Sequence, residues 1–80
     1  MSNKPFYVRA EWDEEAEVWV ASSDDVPGLA TEADSMDALV KKLRSLIPEL
    51  LQLNGTPYGA SSASFEVISR RFEFLEPIGA

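Results

Sequence analysis

Carboxylates are the side chains of this chain most able to do chemistry, and most of them gather in three places. These are Asp13/Glu14/Glu15/Glu17, Asp24/Asp25 and Glu32/Asp34/Asp37. Carboxylates can hold Mg²⁺, and a held Mg²⁺ can drive phosphodiester cleavage. That chemistry needs oxygens converging on one pocket, usually from different strands. The first cluster is a hairpin turn, where acidic side chains are solvated. The second and third flank one turn and one short strand, and turn stabilisation or helix capping accounts for them. Ser22-Ser23-Asp24 offers hydroxyls with no base beside them. The chain has no histidine and no cysteine, which removes the commonest general base, thiol chemistry, disulfides and the usual zinc ligands. The residues therefore read as a non-enzyme, with no catalytic, cofactor-binding or metal-ligating residue to assign.

Two other groups have a chemical reading. Lys41, Lys42 and Arg44 make a basic strip, which a helix face with snorkelling side chains explains. Trp12, Trp19 and Tyr7 have the rings to stack nucleobases. Their neighbours Glu11 and Glu17 would repel phosphates, so core or interface aromatics are expected. Fourteen acids against seven bases give a net charge of −7. That balance speaks against direct nucleic-acid binding and suits solubility or docking on a basic protein.

Eighty residues fit one domain, 1–80, with a modest core that a partner or self-association would help to stabilise. No apolar run reaches the ~20 residues of a membrane span. The longest, residues 39–53, is interrupted by Lys41, Lys42, Arg44 and Glu49. The first five residues carry no signal-peptide pattern. A cytoplasmic protein without membrane contact is expected.

These side chains must be positioned by short elements. Residues 6–12 alternate, with Phe6, Val8, Ala10 and Trp12 opposed to Tyr7, Arg9 and Glu11. Residues 17–23 form a second strand, joined to the first by the acidic turn Asp13-Glu14-Glu15-Ala16. If Trp12 faces Glu17, Trp19 shares its face and Val18 and Val20 join Tyr7. One more loop residue reverses that assignment. In either register the second face is partly apolar, and one helix covers one face only.

Pro27-Gly28 suits the centre of a type II turn, followed by a short strand over 29–33. Asp34 or Ser35 caps a helix over 35–54 whose Met36, Leu39, Val40, Leu43, Ile47, Leu50 and Leu51 share a face. Pro48 should kink it near Leu46–Ile47 or open a fresh turn. Asn54-Gly55 stops it. Residues 56–64 read as a loop and 64–74 as a last strand, where the parity change between Val67 and Ile68 signals a β-bulge or burial of both faces. The residues after Leu75 read as a tail.

This order resembles the HicB-like antitoxin superfamily, in particular a small branch made of that domain alone. The carrying residues are Val8-Arg9-Ala10-Glu11-Trp12-Asp13, Val18-Trp19-Val20-Ala21, Asp25-Val26-Pro27-Gly28, and Glu32-Ala33-Asp34-Ser35 leading into Met36-Asp37-Ala38-Leu39. Ala33-Asp34-Ser35 stands where that family often has Gly-Asp-Thr. The match covers residues 7–53, with weaker agreement through the last strand.

The resemblance implies an α+β fold: an antiparallel β-sheet in the order β-β-β-α-β, one helix packed on one face, similar to a reduced ribonuclease-H-like core. It implies a non-catalytic domain that neutralises a small basic mRNA-cleaving toxin protein by covering its active site. The chain leaves little room after its last strand for the DNA-binding segment of many relatives, so direct binding to an operator is not expected. Tyr7, Trp19, Asp24 and Asp25 are the expected partner contacts. The alternative is a stand-alone structural or regulatory homodimer formed through the sheet.

Overall fold

The computed structural model describes residues 4–55 and 63–79. The elements run β1 (Phe6–Asp13), β2 (Val18–Ser22), β3 (Ala30–Ala33), α1 (Met36–Leu53) and β4 (Phe65–Arg70). The class is α+β, with one helix on one face of an open four-stranded sheet of order β3-β2-β1-β4.

The β1–β2 hairpin pairs Trp12 with Trp19 and Ala10 with Ala21. Both tryptophans thus share the helix-side face, while Val18 and Val20 join Tyr7, as in the first of the two expected face assignments. The ladder itself is offset by two residues from that register, because the turn is larger. Asp13 Oδ1 accepts the backbone N–H groups of Glu15 and Ala16 at 3.0 and 3.1 Å. The N–H of Glu17 reaches the Asp13 carbonyl at 2.7 Å, and Glu17 takes φ +56°. A left-handed residue cannot continue a strand, so β2 begins at Val18.

The Val26 carbonyl accepts the N–H of Leu29 at 3.1 Å around Pro27-Gly28, with Gly28 at φ +86°. That is the dihedral a type II turn needs at its third position. Val26 and Leu29 are buried on either side of it. Ser35 is the N-cap: its Oγ accepts the N–H of Ala38 at 3.1 Å. Asn54 and Gly55, the latter at φ +68°, end the helix. Asn54 Nδ2 also donates to the Pro27 carbonyl at 3.0 Å, tying the helix end to the turn.

The core lies between α1 and one sheet face. Leu39, Leu43, Ile47 and Leu51 form a buried stripe at four-residue spacing. They meet Val8, Ala10, Ala21 and Ala33. Small side chains at the sheet centre let the leucines approach closely. Each fully buried leucine contributes roughly 1.5–3 kcal/mol. The helix runs as one element through Pro48, so no fresh turn opens there. Ile47 and Leu51 are buried on either side of that residue, and their packing offsets the backbone hydrogen bond Pro48 cannot donate.

The last strand differs from expectation in three ways. It pairs parallel with β1, Phe6 with Phe65 through Glu11 with Arg70, so the sheet is mixed rather than wholly antiparallel. An 18-residue helix carries the chain back along the sheet, and a returned strand runs with β1 and β3. The pairing is continuous, without a bulge, and Ile68 simply faces out, 51% exposed. The strand stops at Arg70 instead of Phe74, because β1 bends into its turn two residues beyond the last pair. Of the loop expected over 56–64, residues 56–62 lie outside the described residues.

Residues 71–79 are exposed throughout and belong to no strand or helix. The Cα radius of gyration is 15.7 Å and the longest extent 59 Å. A compact chain of this length would have a radius near 12 Å. The segment is an arm rather than part of the body.

Candidate functional site

β2 ends at Ser22, opposite Arg9 and two residues short of a partner for Tyr7, and a hydrogen-bonded corner takes its place. Ser23 Oγ donates to the Tyr7 carbonyl. The same Oγ accepts the N–H groups of Asp25 and Val26 at 3.1 and 3.2 Å. Asp25 Oδ2 accepts the N–H of Tyr7 at 2.8 Å. Side chains therefore satisfy both backbone groups of Tyr7 that a longer β2 would have paired. Asp24 points away and accepts from Arg9 Nη1 at 3.1 Å. The hydrogen bond from the Arg9 guanidinium, with its charge, holds the Asp24 carboxyl below its ordinary value and raises Arg9 in turn. The pair is exposed, so its energetic contribution is small.

This corner borders the sheet face that the helix leaves uncovered. The registers set its rows. One row runs Glu32, Val20, Glu11, Arg70 across the four strands. The next runs Ala30, Ser22, Arg9, Ile68, and Tyr7 sits beside Glu66 beyond it. Tyr7, Val20 and Ile68 are 52, 39 and 51% exposed. Apolar and charged side chains interleave here: Arg9 and Glu11 stand on the inner strand β1, with Tyr7 and Ile68 next to Arg9 and Val20 next to Glu11, a mixture that protein-binding surfaces share. Glu11, Glu32, Glu66 and Asp24 outnumber Arg9 and Arg70 there.

Three of the four expected contacts, Tyr7, Asp24 and Asp25, meet at this corner. Trp19 does not. It lies on the helix side, half-buried, edge-on to Trp12 with centroids 5.4 Å apart and planes at 64°. Arg71 lies over the Trp12 ring, 4.2 Å from its centroid. Asp25 carries a structural task as well as a position on the rim. Arg9 and Ile68 belong to the surface and were not singled out from sequence. The parity change at Ile68 was the visible signal, and only the pairing with β1 gives it its meaning.

The acidic clusters resolve into local tasks. Asp13 caps its own turn, Asp24 and Asp25 act at the corner, and Asp37 stands in the first helical turn. Among the described residues, no three histidine, cysteine, aspartate or glutamate side chains gather as a metal site. Lys42 Nζ donates to the Glu32 carbonyl at 2.6 Å, fastening the basic helix face to β3. No helix of the described residues is long and apolar enough to cross a membrane.

The fold and its face thus define a small helix-on-sheet domain with one open side. Residues 5–75 match the family model described as a domain of unknown function, DUF1902, and the chain belongs to that family. Among solved structures it is similar to the hypothetical protein TTHA1013 from the extremely thermophilic bacterium Thermus thermophilus. The two are 45% identical with a TM-score of 0.69, and the match covers 91% of this chain and 99% of that one. No curated protein matches.

Proposed function

We propose that this chain is a non-catalytic protein-binding domain of the HicB-like antitoxin type, acting in the cytoplasm on a small basic mRNA-cleaving protein. The observation that carries the reading is the uncovered sheet face, where exposed Tyr7, Val20 and Ile68 interleave with charged side chains among which acids prevail. Burial of Tyr7, Val20 and Ile68 would supply affinity. The acids on this face and the net charge of −7 would steer a basic partner and speed its encounter. The order of elements around Pro27-Gly28 and the capped helix supports the HicB-like assignment. Neither Trp19 nor nucleic acid has a part in this reading.

The test is a pull-down of the tagged chain from its native lysate, with mass identification of what is retained. A small basic ribonuclease is expected, lost from a Tyr7→Asp/Ile68→Asp variant that keeps its circular dichroism spectrum. Both side chains are half-exposed and lie on the face away from the core, so folding should survive the change. Recovery of the chain with no such protein overturns the antitoxin reading. Recovery with only its own second copy would favour the alternative, a homodimer of structural or regulatory role closed through this same face.

A further inference from the structure

The arm and a cleft at the opposite end of the sheet carry a separate inference. In the arm, Phe72, Phe74, Leu75 and Ile78 are 69, 87, 94 and 101% exposed. Phe72 and Phe74 lie edge-to-face with centroids 5.1 Å apart, making one aromatic ridge. The cleft opens between α1 and the starts of β1 and β4. It is lined by Phe6, Leu43, Ile47, Pro48, Leu51 and Phe65, with Arg44 also on its wall, and its volume is about 160 Å³. An apolar cavity of about 150 Å³ is large enough to hold benzene, so this one matches a single phenyl ring.

The arm cannot fill the cleft of its own chain with either ring. β4 runs from Phe65, at the cleft, to Arg70, a span of about 17 Å. A reversal directly after Arg70 uses two residues at least. That would leave Phe72 in the turn and bring Phe74 level with Ser69, still four residues short of Phe65. The cleft of another chain has no such restriction.

We propose that two copies of this chain exchange arms, each seating Phe74 in the partner's cleft with Phe72 on its rim. The contact is reciprocal, so two copies close the assembly. The phenylalanines of both arms, with the surfaces receiving them, would bury on the order of 1,200 Å², the lower limit of a stable interface. Leu75 and Ile78 extend it. Glu73 is already paired with Arg71 on the same arm, and Arg44 gives the arm's Glu76 a counter-charge, which matters between two chains that are each acidic overall. The exchange leaves Tyr7, Val20 and Ile68 free, and it stands whether or not the antitoxin reading does.

Analytical ultracentrifugation of the full chain over a concentration series tests it. The expected mass is twice the 8.8 kDa of one chain. Phe74→Asp should weaken the dimer about thirtyfold or more, as loss of a central aromatic anchor does. Because Phe74 touches no core residue, that variant should keep its far-ultraviolet spectrum. Ala63→Trp, which fills the cleft from its rim, should weaken the dimer likewise. A wild-type chain that stays monomeric at millimolar concentration overturns the proposal. So does a dimer that survives both substitutions, since it must then form through another surface.

Discussion

The Asp25 carboxylate accepts the backbone N–H of Tyr7, 18 residues earlier, at 2.8 Å. An acidic turn residue thereby becomes part of the sheet. Its neighbour Asp24 only pairs with Arg9 at the surface. Replacing Asp25 by alanine should lower stability by about 1.5–3 kcal/mol, the range for a hydrogen bond to a charged group. Replacing Asp24 should cost far less, because its ion pair with Arg9 is solvent-exposed. Urea denaturation of the two variants decides the matter, and equal losses would refute the division of roles.

The Arg9–Asp24 pair also sets a pH dependence. A carboxyl held below its ordinary value contributes stability above the unfolded value, near 3.9. That contribution is lost as pH falls through the folded value. NMR titration should show Asp24 ionising at lower pH than in the Arg9→Ala variant, and the difference should shrink in high salt. Unchanged titration in that variant would show that the pair does not persist in solution.

Leu43→Ala should cost about 2–5 kcal/mol, because the side chain is fully buried between Leu39 and Ile47 over the alanine-floored sheet. Leu53→Ala, in the same helix but 82% exposed, should lie within about 0.5 kcal/mol of wild type. Thermal unfolding monitored by tryptophan fluorescence compares them directly.

Glu17 holds φ +56° at the close of the hairpin turn. A side chain there costs of the order of 1 kcal/mol relative to glycine. Glu17→Gly should therefore raise the melting temperature in a calorimeter, despite the added freedom of the unfolded chain. A lower melting temperature would mean that the Glu17 side chain makes a stabilising contact of its own.

Local patterns made much of this fold legible. Alternation in β1 fixed its two faces, Pro27-Gly28 announced a turn that takes the required dihedral, and four-residue spacing marked the buried stripe of α1. What escaped depended on partners distant in sequence. The direction of β4 is set by the helix that returns the chain, and its end by where β1 stops offering hydrogen bonds. A bulge and an outward isoleucine leave the same parity signature at Val67-Ile68. Trp19 carries nothing in its own neighbourhood to say that its face is the covered one. For the candidate surface, Tyr7 and the two aspartates were readable as exposed turn or strand positions. Arg9 and Ile68 joined them only through cross-strand register. Asp25 as a backbone cap was hidden because its acceptor bond reaches back across a whole hairpin.

The position of β4 has a consequence for how the chain is made. β1 lies inside the sheet, yet one of its two neighbours is the last strand synthesised. Until Phe65–Arg70 leaves the ribosome, Phe6–Glu11 presents a bare row of backbone donors and acceptors along that side. The hairpin, the short third strand and the helix can assemble during that interval from contacts close in sequence, which form fastest. The nascent domain therefore passes through a three-stranded stage with an adhesive flank. During that interval a chaperone or a neighbouring nascent chain competes with β4 for the same row.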